Sequence, residues 1–255
     1  MITILTPSKT MDFTSPAPVY AESTSPLFQS EAMELRELIA QYDISTIKSL
    51  MSVSDDLAQK VQLMYRKDTQ KPAFWAYDGD VFKGVQATTL TVDDALFAQK
   101  HLLVPSGLYG LVRPFDRISP YRLEMKAKLA VGTIANLYQF WGDKLSGYVE
   151  QHADREVLML SSHEYAKAIV PYLASATRVV TPAFIDKKPN GTEAQVAIYN
   201  KMMRGVMGRW VIDRRIDSLD DIHAFAAHGY AYSKERSTPD RPVFYREVMT
   251  PLTFS

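Results

Sequence analysis

Four segments of the chain combine cationic, hydroxyl and carboxylate side chains at spacings that permit anion binding or acid–base chemistry. The first, residues 6–12, contains Ser8, Lys9, Thr10 and Asp12 directly after a short apolar run. Lysine and hydroxyl groups at the carboxyl end of a strand are typical of anion sites in open α/β sheets. The glycines of a Walker loop are missing, so a surface turn with a solvated lysine is the alternative.

The second segment, residues 106–116, carries two closely spaced glycines after a further apolar run. Gly107 and Gly110 permit a tight turn and the close approach of another backbone or a ligand. Ser106 lacks the Gly-x-Ser-x-Gly context of a nucleophile elbow, so we do not assign it as a nucleophile. A structural corner between a strand and a loop is the alternative.

The third segment, residues 113–128, has five basic and two acidic residues, a local net charge of +3 in a neutral chain. Arg122 can grip a phosphate or carboxylate with two parallel hydrogen bonds, and Glu124 can orient it or transfer protons. A purely structural Arg–Glu pair is the alternative. Over all the segments, the candidates for a catalytic role are Lys9, Asp12, Tyr121 and Glu124.

The fourth segment, residues 201–215, has the period of an amphipathic helix. Its apolar arc comprises Met202, Met203, Val206, Met207 and Trp210. The opposite arc carries Lys201, Arg204, Arg215 and two glycines, Gly205 and Gly208. Small residues there let a phosphate backbone or another helix come close, whereas a solvated basic face is the alternative.

These segments need a scaffold, and short apolar runs that alternate with helical patterns predict one. The predicted strands are Ile2–Leu5, Phe74–Tyr77, Leu102–Val104, Val157–Leu160, Val179–Ile185, Val196–Tyr199, Gly229–Tyr232 and Val243–Arg246, with a polar loop at Lys234–Arg241. The predicted helices follow Ser30, span Ile44–Met51, and follow the capping residues Ser54 and Thr91. Thr14–Ser25 is predicted to be an extended loop. The alternation predicts a mixed α/β (α+β) fold, a central mixed sheet with packed helices, in a single domain over residues 1–255.

Composition limits the function classes. The 29 basic and 29 acidic residues balance, so any nucleic-acid surface must come from local clustering. Cysteine is absent, which excludes disulfides and thiolate metal sites. The five histidines lack paired helical spacing, and neighbouring His163 and Glu164 point to opposite faces of an expected strand, so we expect no metal and no cofactor. Without a signal-peptide pattern or a long apolar run, the expected location is the cytoplasm.

Read in order, the segments resemble the YaaA family of peroxide-stress proteins. The resemblance rests on Pro7-Ser-Lys-Thr10, Gly79-Asp-Val-Phe82, Ser106-Gly-Leu-Tyr-Gly110, Arg113-Pro-x-Asp116, Pro120-Tyr-Arg-Leu-Glu-Met125, Leu137-Tyr-Gln-Phe-Trp-Gly142, Glu164-Tyr165 and Arg204-Gly-x-Met207. It covers essentially the whole chain. Phe82, Lys126 and His163 stand where the family has a tyrosine, a glycine and an acidic residue.

The resemblance implies a cytosolic protein that limits intracellular free iron and oxidative DNA damage. It also implies a basic cleft and a helix-hairpin-helix-like element that bind DNA without sequence preference. Here that element comprises residues 44–51, the turn Ser52–Ser54 and the helix after Asp55. The expected phosphate-binding residues are Lys9, Thr10, Lys48, Lys60, Arg113, Arg122, Lys201, Arg204 and Arg209.

Two classes of function therefore stay open. A monomeric DNA-binding protein without turnover is the first. The second is an enzyme that acts on a nucleotide, a nucleobase or damaged DNA through Lys9, Arg122 and Glu124. Direct iron sequestration ranks below both, because clusters of hard ligands are not visible in the sequence.

Overall fold

The computed structural model describes residues 1–18 and 23–252. Within them, helices pack on two five-stranded sheets and a two-stranded ribbon, which confirms the predicted mixed α/β class. The strands are β1 (Ile2–Leu5), β2 (Lys71–Pro72), β3 (Leu102–Ser106), β4 (Gly110–Val112), β5 (Arg117–Ile118), β6 (Glu156–Leu160), β7 (Arg178–Val180), β8 (Ala183–Lys187), β9 (Glu193–Ala194), β10 (Ala226–Ala227), β11 (Tyr230–Thr238) and β12 (Arg241–Arg246). The α-helices are α1 (Gln29–Ala40), α2 (Ile44–Met51), α3 (Asp55–Met64), α4 (Ala73–Ala76), α5 (Asp80–Val85), α6 (Val92–His101), α7 (Leu137–Trp141), α8 (Lys144–His152), α9 (His163–Ala166) and α10 (Ala197–Arg214).

The first sheet has the order β4-β3-β1-β6-β7. Its central strand β1 is parallel to both β3 and β6, and every residue of β1 is buried. Such burial on both faces explains the continuous apolar run from which the strand was predicted. The chain passes from β1 to β3 on one side and later to β6 on the other. The carboxyl end of β1 is therefore a point where strand order reverses, the usual place for ligand clefts in open sheets.

The second sheet has the order β10-β11-β12-β8-β9 and contains a buried ion pair. Asp186 on β8 and Arg246 on β12 are each about 99–100% buried, and Arg246 Nε donates to Asp186 Oδ1 at 2.7 Å. The Tyr230 hydroxyl lies 2.8 Å from both carboxylate oxygens. Because the carboxylate has several donors, this buried charge is compensated.

The prediction of one strand over Val179–Ile185 was wrong, because β7 and β8 are separate strands in different sheets. Pro182 lies between them and has no N–H to continue a ladder. The predicted loop Lys234–Arg241 was also wrong. β11 continues to Thr238 and the next strand starts at Arg241, and the polar composition arises because much of β11 faces solvent.

Two other predicted strands are helical. Phe74–Tyr77 largely coincides with α4, and Val196–Tyr199 contains the start of α10. His163 and Glu164 likewise lie in α9 and not in a strand. Apolar runs of about four residues fit a buried strand or a buried helical turn equally well, so periodicity cannot separate them.

The helix hairpin α2–α3 follows the predicted boundaries. The Asp43 carboxylate accepts from the Thr46 amide at 2.7 Å, and Ser54 caps α3 by accepting from the Leu57 amide. Ser52 takes the left-handed conformation (φ 51°) that reverses the chain between the helices. Ser30, predicted to cap α1, lies inside it, because the helix already begins at Gln29.

The predicted loop Thr14–Ser25 is only partly described, since residues 19–22 lie outside the described ranges. Its described residues form no helix, and Thr24 makes a single bridge to Asp116. The α6 cap at Thr91 is confirmed as a capping box with Asp94. Among the described residues, no helix has both the length and the apolar character needed to cross a membrane.

Helix α10 is buried on both of its faces. Met203 and Met207 of the predicted apolar arc are buried, as are both glycines of the opposite arc. A Cβ atom at Gly205 would collide with the carbonyl oxygen of Val81 on α5. Another helix therefore packs against Gly205, and Leu5 of β1 packs against Gly208, so a phosphate backbone does not approach either glycine.

We expect Gly205→Ala to lower the free energy of unfolding by about 2–3 kcal/mol, because a methyl group must separate two helix backbones. Gly147→Ala is the matched control. A Cβ atom there meets nothing within 4 Å, so removing a helical glycine is expected to stabilise α8 by about 0.5–1 kcal/mol. Urea unfolding measures both, and equal effects of the two variants would contradict the packing described.

Candidate functional site

A groove of about 460 Å³, here called the hairpin groove, lies beside the turn of the helix hairpin. One wall is the end of α2 and the start of the turn, residues 49–52. The other wall comes from two segments singled out in the sequence, the loop after β1 and the basic segment after β5. It consists of Lys9, Arg122, Glu124, Lys126, Ala127 and Lys128.

Four cations and one carboxylate line this groove. Glu124 Oε1 lies 2.8 Å from Lys9 Nζ and 3.4 Å from Arg122 Nη2, and Glu124 Oε2 lies 3.5 Å from Lys126 Nζ. Lys128 adds a fourth positive charge. The four cations together with the carboxylate of Glu124 give the groove a net charge of +3.

The electrostatics of Glu124 favour its ionised form. Its side chain is only 14% exposed, and this burial raises its pKa. The hydrogen bond and positive charge of Lys9 act in the opposite direction, with smaller contributions from Lys126 and Arg122, and the net pKa is lowered. Glu124 is thus a carboxylate at neutral pH, a proton acceptor and not a donor.

A hydrogen bond fixes the main chain of Arg122, and its guanidinium group lines the groove. The Tyr65 hydroxyl donates to the Arg122 carbonyl oxygen at 3.0 Å, which fixes the main chain. Its Nε is buried and has no hydrogen-bond partner among the described residues. A planar guanidinium at the wall of the groove is suited to a phosphate oxygen.

A close contact between two motifs explains how these side chains are placed. A Cβ atom at Gly107 would collide with the Leu123 carbonyl oxygen and approach the Glu124 backbone at 3.1 Å. The loop after β3 therefore packs directly on the chain that carries Arg122 and Glu124. Only glycine permits this approach, which gives the paired motifs of the sequence a structural reason.

Tyr121, a catalytic candidate, lies in a buried hydroxyl network behind the groove. Its hydroxyl is 2.8 Å from the Tyr77 hydroxyl and accepts from Ser106 Oγ at 2.7 Å. The neighbouring Tyr109 hydroxyl accepts from the Ser119 amide at 2.9 Å. Burial raises the pKa of Tyr121 to about 12. This tyrosine orders the chain under Arg122 and does not line the groove.

Asp12, a further catalytic candidate, closes a turn and does not line the hairpin groove. Its Oδ1 accepts from the Thr14 amide at 2.8 Å and the Thr14 hydroxyl at 2.6 Å. Hydrogen bonds from Ser15 and Thr14 hold the pKa of Asp12 well below its usual range. The buried Lys71, which the sequence did not single out, donates to the Asp12 carbonyl oxygen at 2.9 Å.

A second cavity of about 530 Å³, the strand-end cleft, adjoins the hairpin groove at Lys9. Thr10 lines it, with its hydroxyl donating to the Asp78 carbonyl oxygen, and Lys201 enters from α10. The full lining is Thr6, Pro7, Ser8, Lys9, Thr10, Asp78, Gly79, Asp80, Val81, Lys83, Ser162, Glu164, Tyr165 and Lys201. Lys9, Thr10, Arg122 and Lys201 are therefore the predicted phosphate-binding residues that the structure brings to two connected cavities.

Two other predicted phosphate-binding arginines lie elsewhere and serve the fold. Arg113 Nη2 contacts the buried Asp116 at 2.8 Å and the Ser25 carbonyl oxygen at 3.0 Å. Arg209 pairs with Asp213 at 2.7 Å and donates to carbonyl oxygens at the end of α5. Neither lines a cavity described here, so the structure does not gather all the predicted cations into one surface.

The remaining predicted cations differ in exposure. Lys48 lies on α2 and pairs with Asp55 across the hairpin at 2.9 Å, and Lys60 is exposed on α3. Arg204 is half-buried and has no ion pair within residues 1–18 and 23–252, and burial lowers its pKa. Lys126 and Lys128 contribute to the local net charge of residues 113–128, but the sequence did not predict either as a site residue.

Possible metal ligands are scattered in the described ranges. No group of three or more histidine, aspartate or glutamate side chains in those ranges is placed to hold a metal ion.

Comparison with known proteins gives consistent matches over nearly the whole chain. A family model described as peroxide stress protein YaaA matches residues 1–236. A UPF0246 protein of Shewanella oneidensis is 39% identical over 259 residues, which covers 97% of this chain and all of the relative. UPF0246 proteins of Shewanella sp. (strain MR-4) and Roseobacter denitrificans are each 38% identical, with 97% and 96% of this chain covered and 100% and 98% of the relatives.

Glu124→Gln is expected to lower the free energy of unfolding by about 1 kcal/mol at pH 7, since it removes the charge shared by partly exposed cations. The folded-state pKa is lowered, so this stabilisation is fully present above the ordinary glutamate pKa of 4.5. It is lost as the pH falls below that value. Urea unfolding at pH 7 and pH 3 tests this, with the exposed Glu37→Gln as control, and a pH-independent difference would contradict it.

Proposed function

Since the chain belongs to the YaaA family of peroxide stress proteins, we propose that it protects DNA during peroxide stress by binding it in the hairpin groove. The observation that carries the proposal is the gathering of Lys9, Arg122 and Lys126 around Glu124, with Lys128 in the same groove, next to a helix hairpin. We propose that the protein acts in the cytoplasm and as a monomer.

The groove chemistry supports contact with phosphates rather than with base edges. Lysine and arginine side chains contact phosphate oxygens in most protein–DNA interfaces, and these contacts carry no sequence information. In the hairpin turn, the Val53 amide already donates to the Lys48 carbonyl oxygen at 3.2 Å, and the Leu57 amide donates to Ser54. Side chains of the groove, more than turn amides, are therefore the phosphate ligands in this proposal.

An anionic ligand can compete with Glu124 for the cations of the groove. Lys9 and Lys126 are 57% and 64% exposed, so both side chains can reach toward a ligand while staying near Glu124. A DNA phosphate supplies the negative charge that these cations now share through one carboxylate. Binding then depends on charge and falls steeply with salt, because condensed counterions are released.

We expect affinity for a random-sequence duplex to decrease linearly on a log–log plot against salt concentration. Lys126→Ala and Lys128→Ala should each weaken binding and reduce the slope by about 1, since each removes one phosphate contact. The exposed Lys234→Ala on β11 is the matched control and should change neither. Fluorescence anisotropy at salt concentrations from about 50 to about 200 mM measures the affinity. Absence of binding at low salt would contradict the proposal.

Catalysis on a nucleotide, a nucleobase or damaged DNA is the second candidate function. The observation that favours it is Lys9 Nζ at 2.8 Å from Glu124 Oε1, at the junction of two cavities. A lysine cation can hold a phosphate group while the ionised carboxylate beside it accepts a proton. The Asp12 and Tyr121 candidates lie outside this junction.

Glu124→Gln separates the two functions. If the protein only binds DNA, losing a negative charge from the groove is expected to strengthen binding severalfold at low salt, on the order of one charge interaction. If Glu124 moves a proton, turnover on damaged duplexes should fall by about 10²–10⁴-fold. Strand cleavage and base release are followed on gels beside anisotropy, and unchanged binding without turnover would contradict both roles for Glu124.

Restraint of intracellular free iron belongs to the same proposal, and its support is the family resemblance alone. Iron bound directly by hard ligands requires several oxygen or nitrogen donors. The hairpin groove offers one carboxylate, which three cations already surround. We therefore assign the groove to DNA and not to iron.

A further inference from the structure

A third cavity, the aromatic chamber, lies next to the strand-end cleft and has a different character. Its volume is about 270 Å³, and buried aromatic rings form its floor: Phe74, Trp75, Tyr77 and Phe82. Its mouth is polar, with exposed Thr88 and Thr89 beside Gln86. A small cavity with aromatic walls and a few polar groups is suited to a flat unsaturated ring.

The aromatic chamber and the strand-end cleft share two wall residues, Asp78 and Lys83. The two cavities therefore lie side by side. The cleft lies where β1 and β6, which are parallel, end side by side. This is also the point at which strand order reverses, where open α/β sheets bind their ligands.

Cations without partners lie along the cleft. Neither Lys83 nor Lys201 makes an ion pair with a residue in the described ranges. Two lysines that pair with no carboxylate in the described ranges can bind an anion in this cleft.

The lining of the cleft also contains three acidic residues, Asp78, Asp80 and Glu164. Glu164 is engaged, since its Oε1 accepts from the Lys126 amide at 3.2 Å and its Oε2 lies 3.9 Å from Lys126 Nζ. Asp78, like Lys83, lines both cavities. A carboxylate in that position can accept hydrogen bonds from sugar hydroxyls.

We propose that the strand-end cleft and the aromatic chamber together bind one nucleotide, with its base in the chamber and its phosphate near Lys83 and Lys201. The base stacks against aromatic side chains, Asp78 faces the sugar, and the lysines neutralise the phosphate. Such a nucleotide is free in solution or is extruded from a bound DNA strand. The second source rests on the proposed function, and the first does not.

Free nucleotide binding is tested by calorimetric titration with adenosine monophosphate, adenosine and inorganic phosphate. The monophosphate should bind more tightly than either fragment. Lys83→Ala and Lys201→Ala should each weaken it about tenfold, the scale of one lost charge-assisted hydrogen bond, and leave adenosine unaffected. Thr88→Trp, which fills the chamber mouth, should weaken both the monophosphate and adenosine. Lys100→Ala, an exposed lysine of α6, is the control.

Extrusion from DNA is tested with a duplex that carries one 2-aminopurine. Fluorescence of that base should rise on binding, and Thr88→Trp should remove the rise while anisotropy still reports bound duplex. A duplex that does not bind at all defeats the proposed function, and the free-nucleotide titration then decides this inference by itself. Absence of both signals, or signals that Lys83→Ala, Lys201→Ala and Thr88→Trp leave unchanged, overturns it.

Discussion

The contact of Gly107 with the Leu123 carbonyl oxygen fixes where the functional side chains of this protein lie. It joins the loop after β3 to the chain that carries Arg122 and Glu124, and any larger residue at Gly107 separates the two. Behind the contact, hydroxyl groups of Ser106, Tyr121 and Tyr77 form a connected buried network. In front of it, Glu124 emerges among three cations. The basic groove thus exists because two segments pack backbone to backbone.

The overall net charge of the chain does not reveal this local excess of positive charge. The chain is neutral as a whole, and many of its cations are used within the fold, as Arg113 and Arg246 show by their contacts with buried carboxylates. Three of the cations that line the hairpin groove share the carboxylate of Glu124, and Lys126 also lies 3.9 Å from Glu164. An excess of three positive charges over a groove of about 460 Å³ attracts polyanions far more strongly than the overall charge indicates.

The sequence predicted the scaffold well where one pattern has one structural explanation. β1 and α3 were found because a buried parallel strand and a capped amphipathic helix have distinct patterns. α4 was missed, because four buried apolar residues fit a strand equally well. Within the site, Lys9, Arg122 and Glu124 were predicted from local chemistry. The contact of Lys71 with Asp12, outside the cavities, was not predicted, because the two residues are 59 positions apart and only the fold brings them together.

The central claim is that the hairpin groove is the DNA-binding surface. Hydrogen–deuterium exchange with and without a duplex at low salt tests it most directly, because exchange reports local protection along the backbone. The account predicts slower exchange in residues 49–57 and 122–128, with the second sheet around β11 and β12 unchanged. Protection confined to the second sheet, or none in either groove wall despite bound duplex, would contradict it.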